Sequence, residues 1–416
     1  MLRANRLRAL SVTYLAAPRA QRAERLQYRI VLKITPYCKH GHSCGKTGIC
    51  SGHTGRHSST FSCYRVFACR LPRTLSECRF CVTPHTPTQI CITIDTEFSI
   101  AGHFDHPETY LPVAEPAVFG AVDGKEESLG FLLDTFDRHN IKATFFVECA
   151  NYFYFGNEPM QTVVNRLKAA QQDIQLHVHP VWLHFIKDSE VGIFPCHDDC
   201  SGRDFDELKR VFSICIEVFQ RWVGHKPLAI RTGSLRTDAN VYRVMHALGI
   251  PMSSSIGLGV FQPTEALLRH DSGRHRISGV MEMPVFSYQD GTLAGRTHKK
   301  SLQITSCSWP EMKHLLWKAR KSGIENVVVL THPFEYIKKS DFQYTRLTRN
   351  RVNQERLQKL CAFIQQHSQD FVSADFSSQH HAWVKSELNQ KTIEISSIYA
   401  VGRKLHNKLN DLIWIY

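Results

Sequence analysis

From Gln89 almost to the end of the chain, short β-branched or apolar runs alternate with amphipathic helical stretches, and this alternation restricts the fold more than any other feature. The runs fall at Gln89–Asp95, Lys142–Val147, Ile174–His179, Leu228–Arg231, Val280–Pro284, Val327–Thr331 and Phe371–Ala374, with Pro251–Ile256 a weaker candidate. Helical periodicity covers Ser128–His139, Met160–Gln171, Phe205–Trp222, Asp238–Leu248, Glu311–Ser322 and Gln354–Gln366. Seven or eight such units predict a (β/α) barrel, with a doubly wound sheet as the alternative. In a parallel barrel the C-terminal ends of the strands converge on one face, and polar side chains placed there can act together.

Four polar clusters lie at or just past such ends. In "TIDTE" (Thr93 to Glu97), Asp95 and Glu97 are two residues apart, so an extended backbone points both carboxylates to one side. Such a pair can divide its work between holding a metal and acting as a base; an ordinary acidic strand end is the plainer reading. In "QLHVHP" (Gln175 to Pro180), His177 and His179 again share a face, and Pro180 stops the strand. Two imidazoles so placed suit one divalent ion, or are partly buried histidines with satisfied hydrogen bonds. Opposite Asp95 and Glu97 at one barrel mouth, the metal reading gains. "AIRTGS" (Ala229 to Ser234) puts Arg231 at a strand end, where it can hold a carboxylate ionised, or else sits in a surface turn. "VVVLTHPFE" (Val327 to Glu335) delivers His332 from an apolar strand, as a general acid or as a packing residue.

The formal charge of +13 belongs to one segment. Residues 1–90 hold 15 Lys and Arg against 2 Asp and Glu, while the remaining 326 hold 36 of each kind. A neutral body gives no reason to expect nucleic acid or an anionic membrane as partner of the catalytic part. Residues 1–85 show no sustained period and are expected to be a basic, Cys-rich and disordered extension. A targeting arm, a small metal module and residues upstream of the native start, near Val82, compete to explain it, the last being preferred. Seven of the 14 cysteines lie between Cys38 and Cys81, at spacings that match no standard zinc pattern. The scattered remainder, such as Cys91, read as small core residues in a reducing compartment, so a cytoplasmic location is expected, with a periplasmic or extracellular one as alternative. No apolar run reaches 18 residues, so no membrane span is expected. A catalytic barrel over residues 86–380 and a helical tail over 381–416 complete the expected organisation.

Taken in order, "TIDTE", "IKATFFV", "DIQLHVHP", "IRTGS" and "LTHP" resemble the polysaccharide deacetylase family, carbohydrate esterase family four, over about 285 residues. The resemblance implies a distorted (β/α)7-8 barrel and a metal-dependent hydrolase, with zinc the expected ion, that removes an N-acetyl group from a sugar. By that resemblance Asp95 looks like the base that activates water, Arg231 like its tether and His332 like the acid that protonates the leaving amine. His177 looks like a metal ligand, and Glu97 and His179 would complete the set. The sequence departs from the family where Thr96 replaces a second aspartate. It departs again where Val181 stands four residues after His177, leaving His179 or the more distant His184. The family's later Asp–Trp motif has no counterpart around Ser253–Ile256. Trp182 and Trp309 are candidate sugar-stacking platforms, and backbone N–H groups near Thr232 and Gly233 candidate oxyanion donors. Hydrolysis of a non-sugar C–N bond, or glycan binding without catalysis, are the competing functions.

Overall fold

A computed structural model describes residues 86–187, 196–291, 297–390 and 392–413. The expectations placed on residues 1–85 lie outside the described residues. A curled ten-stranded sheet is built on seven parallel strands, β1 (Thr88–Thr96), β2 (Thr144–Glu148), β3 (Asp173–Val178), β4 (Ala229–Thr232), β5 (Met252–Ser253), β6 (Val280–Glu282) and β7 (Asn326–Thr331); Phe371–Ser373 pairs with β1 as an eighth parallel strand, and Gly273–Ile277 and Leu388–Asn389 extend the sheet antiparallel beyond β6. Their order is β7-β1-β2-β3-β4-β5-β6. Chain that follows β6 meets β7 through isolated parallel bridges, Val285 to Val328 and Gln303 to Leu330, which bring the curl round to a distorted barrel. This is the mixed α/β architecture that the alternating pattern implies.

Burial on both sides of the sheet explains the strand composition. Along β1 the isoleucines Ile90, Ile92 and Ile94 point outward to the helices. Cys91 points inward, into a second core with Phe146, Ala229, Met252, Met281, Val328 and Leu330. A parallel strand covered on both faces needs apolar residues throughout, so it reads as a continuous run rather than an alternating one.

Helices α1 (Leu129–His139), α2 (Glu158–Ala169), α3 (Phe205–Val223), α4 (Ala239–Ala247), α5 (Trp309–Lys321) and α6 (Arg351–Gln366) cover the outer face. In α3 the Asp204 side chain accepts from Glu207 N at the start, and left-handed Gly224 ends the helix. Its buried Leu208, Val211, Phe212, Cys215, Phe219 and Trp222 keep helical spacing. A short helix, Phe376–Trp383, closes the barrel floor, where Phe376 meets Phe146 edge-on at 5.5 Å.

The strand pattern had not indicated a three-stranded sheet of Thr297–Ser301, Ser287–Gly291 and Ile393–Ile395, nor the hairpin Ile337–Lys339 with Leu347–Arg349. These strands are short and polar, and pairing with distant segments rather than local pattern makes them extended. The C-terminal helix, α7 (Ser397–Ile413), docks beside that small sheet. There the buried guanidinium of Arg403 bonds both Asp290 and Glu311. No helix of the described residues is long and apolar enough to cross a membrane.

Replacing Arg403 by methionine would leave the Asp290 and Glu311 carboxylates buried without their cation. We expect a loss of about 3–5 kcal/mol of unfolding free energy, read by denaturant titration.

Candidate metal centre and acid–base pair

Strand register assembles the site. Asp95 lies opposite Phe146 on β2, Glu148 opposite His177 on β3, and His177 opposite Arg231 on β4. Side chains two residues apart share a face, so the inward set runs upward from the apolar floor through Thr93 and Arg231 to Asp95, Glu148 and His177 at the mouth.

Arg231 is fully buried. Its Nη1 donates to Asp95 Oδ1 at 2.7 Å and to Thr93 Oγ1 at 2.9 Å, while Nε and Nη2 donate to the carbonyl and hydroxyl of Ser254 at 2.8 and 2.7 Å. The guanidinium also lies over the Phe146 ring, 4.2 Å from its centroid. The segment Ser253–Ile256, where the family's Asp–Trp motif has no counterpart, therefore holds Arg231 in place. Glu282 fixes this segment in turn by accepting from Ser255 N and Ile256 N at 3.1 and 3.0 Å.

Glu97, His177 and His179 meet, as the strand spacing suggested. Among the described residues they form the one His/Cys/Asp/Glu cluster with three ligand atoms within 4.8 Å of one another. The two imidazoles are oriented alike. His177 Nδ1 lies 2.9 Å from the Arg231 carbonyl, which can only accept, so that nitrogen carries the proton. His179 Nδ1 lies 2.5 Å from Asp198 Oδ2. Both Nε2 atoms then face Glu97 Oε2, at 3.2 and 2.8 Å. Two Nε2 donors and a carboxylate converging on one point, with both Nδ1 atoms tied behind, is a donor set that fits zinc or a similar divalent ion.

Charge agrees with geometry. Burial disfavours ionisation of Glu97, yet the two histidines outweigh it and hold its carboxyl well below the usual range. Burial likewise opposes protonation of His179, but Asp198 and Glu97 raise its pKa well above the ordinary value. The cluster is thus a preformed anionic pocket that holds protons where a cation would sit. Burial pushes Glu148 up to about 8. Its oxygens accept from Ala150 N and Asn151 N at 2.6 and 2.8 Å, which turns the carboxylate toward the backbone rather than the triad.

His332 stands across from the triad, its Nε2 3.9 Å from Asp95 Oδ2. Its Nδ1 is held by Glu335 Oε1 at 3.0 Å, while Glu335 Oε2 accepts from Thr331 Oγ1 at 2.7 Å. Burial alone would lower the His332 pKa, but Glu335, then Glu97 and Asp95, raise it to about 9. The ring is therefore an imidazolium near neutrality, the form a general acid needs. Access differs within the group. The side chains of His177 and Asp95 are 1% and 5% exposed, whereas Glu97, His179 and His332 are 16–19% exposed and line the opening.

Gly233 matters for its lack of a side chain, since a Cβ there would lie 2.5 Å from His179 Nδ1. Ser234 and Leu235 then follow in the left-handed region, at φ 52° each. Non-glycine residues rarely adopt this, and such strain collects at functional sites.

Three expectations need correction. Trp182 is buried, because Pro180 opens a tight turn (Pro180–Phe185) that packs the indole against Phe155 and Tyr154. Trp309 lies edge-on to Phe363, 5.7 Å away, at the start of α5. The buried Trp182 ring cannot stack on a sugar, whereas Trp309 stays half-buried. The Thr232 N–H donates to Ser255 Oγ at 3.2 Å, and Gly233 N is engaged by Cys200, so these amides are not free for an oxyanion. Asp198 and Glu335 went unassigned from sequence. Asp198 sits in a loop 19 residues from its partner, and only the acidic "HDD" run hints at it. Glu335 is three residues past His332, a spacing that marks a contact only once the chain turns there.

The architecture is a curled parallel sheet with its polar constellation at the strands' C-terminal ends. Among solved structures the chain is similar to a protein of Mycobacterium smegmatis assigned as a polysaccharide deacetylase, at 14% identity and TM-score 0.44, covering 74% of this chain and 97% of that one. It is also similar to the PuuE allantoinase, at 13% identity and TM-score 0.42, covering 73% and 93%. A third is a family 4 acetyl xylan esterase of Clostridium thermocellum solved with a cobalt ion, at 13% identity and TM-score 0.33, covering 69% and 88%. No protein-family model matches the chain. No curated protein matches its sequence. The chemistry is therefore argued from the residues themselves.

Two outcomes are expected. Asp198→Asn should weaken divalent-ion affinity by roughly 10–100-fold, measured by competition with a chelating dye, since it removes the acceptor behind a ligand. In the metal-free chain, the His332 imidazole should titrate near pH 9 by NMR. Glu335→Gln should move that titration downward, and the alkaline limb of any His332-dependent rate with it.

Proposed function

We propose that the chain is a metal-dependent hydrolase that removes the acetyl group from an N-acetylated sugar of a polysaccharide or glycan precursor. The observation that carries this reading is the placement of a buried, Arg-tethered carboxylate, with His332 3.9 Å from it, beside a two-histidine, one-carboxylate cluster. That geometry supplies a base, an acid and a cation site around one small space.

Glu97, His177 and His179 would hold the ion through one carboxylate oxygen and two Nε2 atoms. When bound, a divalent ion polarises a carbonyl oxygen and makes water more acidic. Asp95 then takes the proton of the attacking water. Arg231 pairs with Asp95 and aims it, with Oδ1 occupied by the guanidinium and Oδ2 left toward His177 and His332. As the tetrahedral centre collapses, the C–N bond breaks and the nitrogen leaves as an amine, which requires a proton. His332 gives one from Nε2 while Glu335 steadies the imidazolium through Nδ1. The leaving group is the sugar, so the sugar lies on the His332 side of the site.

Metal analysis and acetate release from N-acetylated oligosaccharides test the reading together. His177→Ala should lose both metal and activity. Asp95→Asn should lose activity and keep most of the metal; equal metal loss in the two variants would show that the carboxylate roles are exchanged. His332→Ala should slow amide hydrolysis by roughly 10²–10⁴-fold. The same variant should spare much of the activity on an aryl acetate, which leaves without an acid. Equal slowing on both substrates would remove His332 from the acid's role.

A further inference from the structure

Beside the acid the fold builds a cavity that the hydrolytic steps do not use. It measures about 260 Å³ and is lined by Thr305, Phe334, Glu335, Lys339, Tyr344 and Asn353, among others. Two of these touch the acid directly: the Phe334 ring stacks on His332 at 4.8 Å between centroids, and Glu335 holds its Nδ1. A third, Tyr344, meets Ser99, two residues past Glu97. The cavity thus adjoins the acid, on the side where the leaving sugar lies.

Lys339 gives this space its character. Its ammonium lies 4.1 Å from the Tyr344 ring centroid and 5.9 Å from that of Phe342. Among the described residues no carboxylate comes within ion-pair distance of it. Half-buried against aromatic faces, it has a pKa pushed down by burial, with Asp341 only partly offsetting. An aromatic face attracts a cation but accepts few of its N–H bonds, so the ammonium retains donors for a further acceptor.

The surrounding charge points the same way. Residues 337–351, the hairpin and the start of α6, carry Lys338, Lys339, Arg346, Arg349 and Arg351 against Asp341 alone. Chain beyond residue 90 is balanced only as a whole, so this segment is a local positive field beside the acid. Glu335, the acid on the cavity wall, has both oxygens taken, one by Thr331 and one by His332, whose charge offsets its own. The neighbouring amides are also committed: Asn350 Nδ2 and Asn353 Nδ2 both donate to the Glu335 carbonyl, at 3.0 and 2.8 Å. The cavity therefore offers one uncommitted cation.

We infer that Lys339 and this cavity receive an anionic substituent, a phosphate or a carboxylate, carried by the substrate on its leaving-sugar side. The inference rests on the hydrolase reading and narrows it to acidic glycans. A charge-assisted hydrogen bond to such a group is among the stronger single contacts available to a binding site.

The test uses the full metal-loaded chain and four sugars: N-acetylglucosamine, its 1-phosphate, its 6-phosphate, and N-acetylmuramic acid. At least one anionic sugar should release acetate with a lower KM than the neutral one. Lys339→Met should raise that KM by roughly 10–100-fold, with kcat and the neutral sugar's KM nearly unchanged, and Lys339→Arg should retain most of the preference. The phosphorylated sugars against the carboxylated one decide which anion the cavity takes. Absence of any anionic preference, or equal effects of Lys339→Met on charged and neutral sugars, would overturn the inference and leave the hydrolase reading standing. Should no sugar release acetate, calorimetric titration with inorganic phosphate separates the two ideas. Phosphate binding that Lys339→Met abolishes would keep the cavity's assignment and discard the reaction, and absence of phosphate binding to the unaltered chain would discard the cavity's assignment.

Discussion

Burying an arginine beside an aspartate in the middle of a barrel is costly, because each ion gives up several kcal/mol of hydration that attraction alone barely returns. Here the cost is met by directing the guanidinium to four oxygens from two segments and laying it on Phe146. Thr93 and Asp95 come from β1, and Ser254 follows β5, with Arg231 itself on β4. The pair therefore fixes three strands relative to one another at the height where chemistry begins. Below it lie Cys91, Phe146 and Val328, and above it Glu97, His177 and His179 meet. A neutral replacement could fill the volume, but it could not pair with Asp95 and aim it upward.

From that fixed point the rest of the site follows by register. His177 is the neighbour of Arg231 across one strand pair, and its Nδ1 uses the arginine's own carbonyl. The residue that positions the base thus also sets the tautomer of a ligand. His179 depends on loops instead: Asp198 behind it and the bare Gly233 beside it. The two imidazoles reach the same orientation by different means, one by the sheet and one by the connections that leave it.

That difference explains what was legible in the sequence. Strands and helices could be read because each has its own period, and Asp95, Glu97, His177, His179, Arg231 and His332 because two-residue spacing and strand ends indicate facing. Asp198 and Glu335 could not, since both act through loops whose course no local pattern states. Trp182 misled because adjacency to the His pair was taken as proximity to solvent, while Pro180 turns the chain and sends the indole inward. The small sheet that seats α7 escaped for a similar reason, as its strands are polar and defined by partners far away in the chain.

The seam of the barrel has a further meaning. Its two edges are joined by isolated bridges, whereas β7 and β1 share six consecutive register pairs. Asp95, Glu97, His177, His179 and Arg231 lie on, or directly after, the uninterrupted run β1-β2-β3-β4, while His332 directly follows β7, whose Val328 and Leu330 form the seam. Thermal opening should start where pairing is sparsest. Opening there would spare the distances among Asp95, Glu97, His177, His179 and Arg231, which the pairing of β1 to β4 sets, and would reach His332 first.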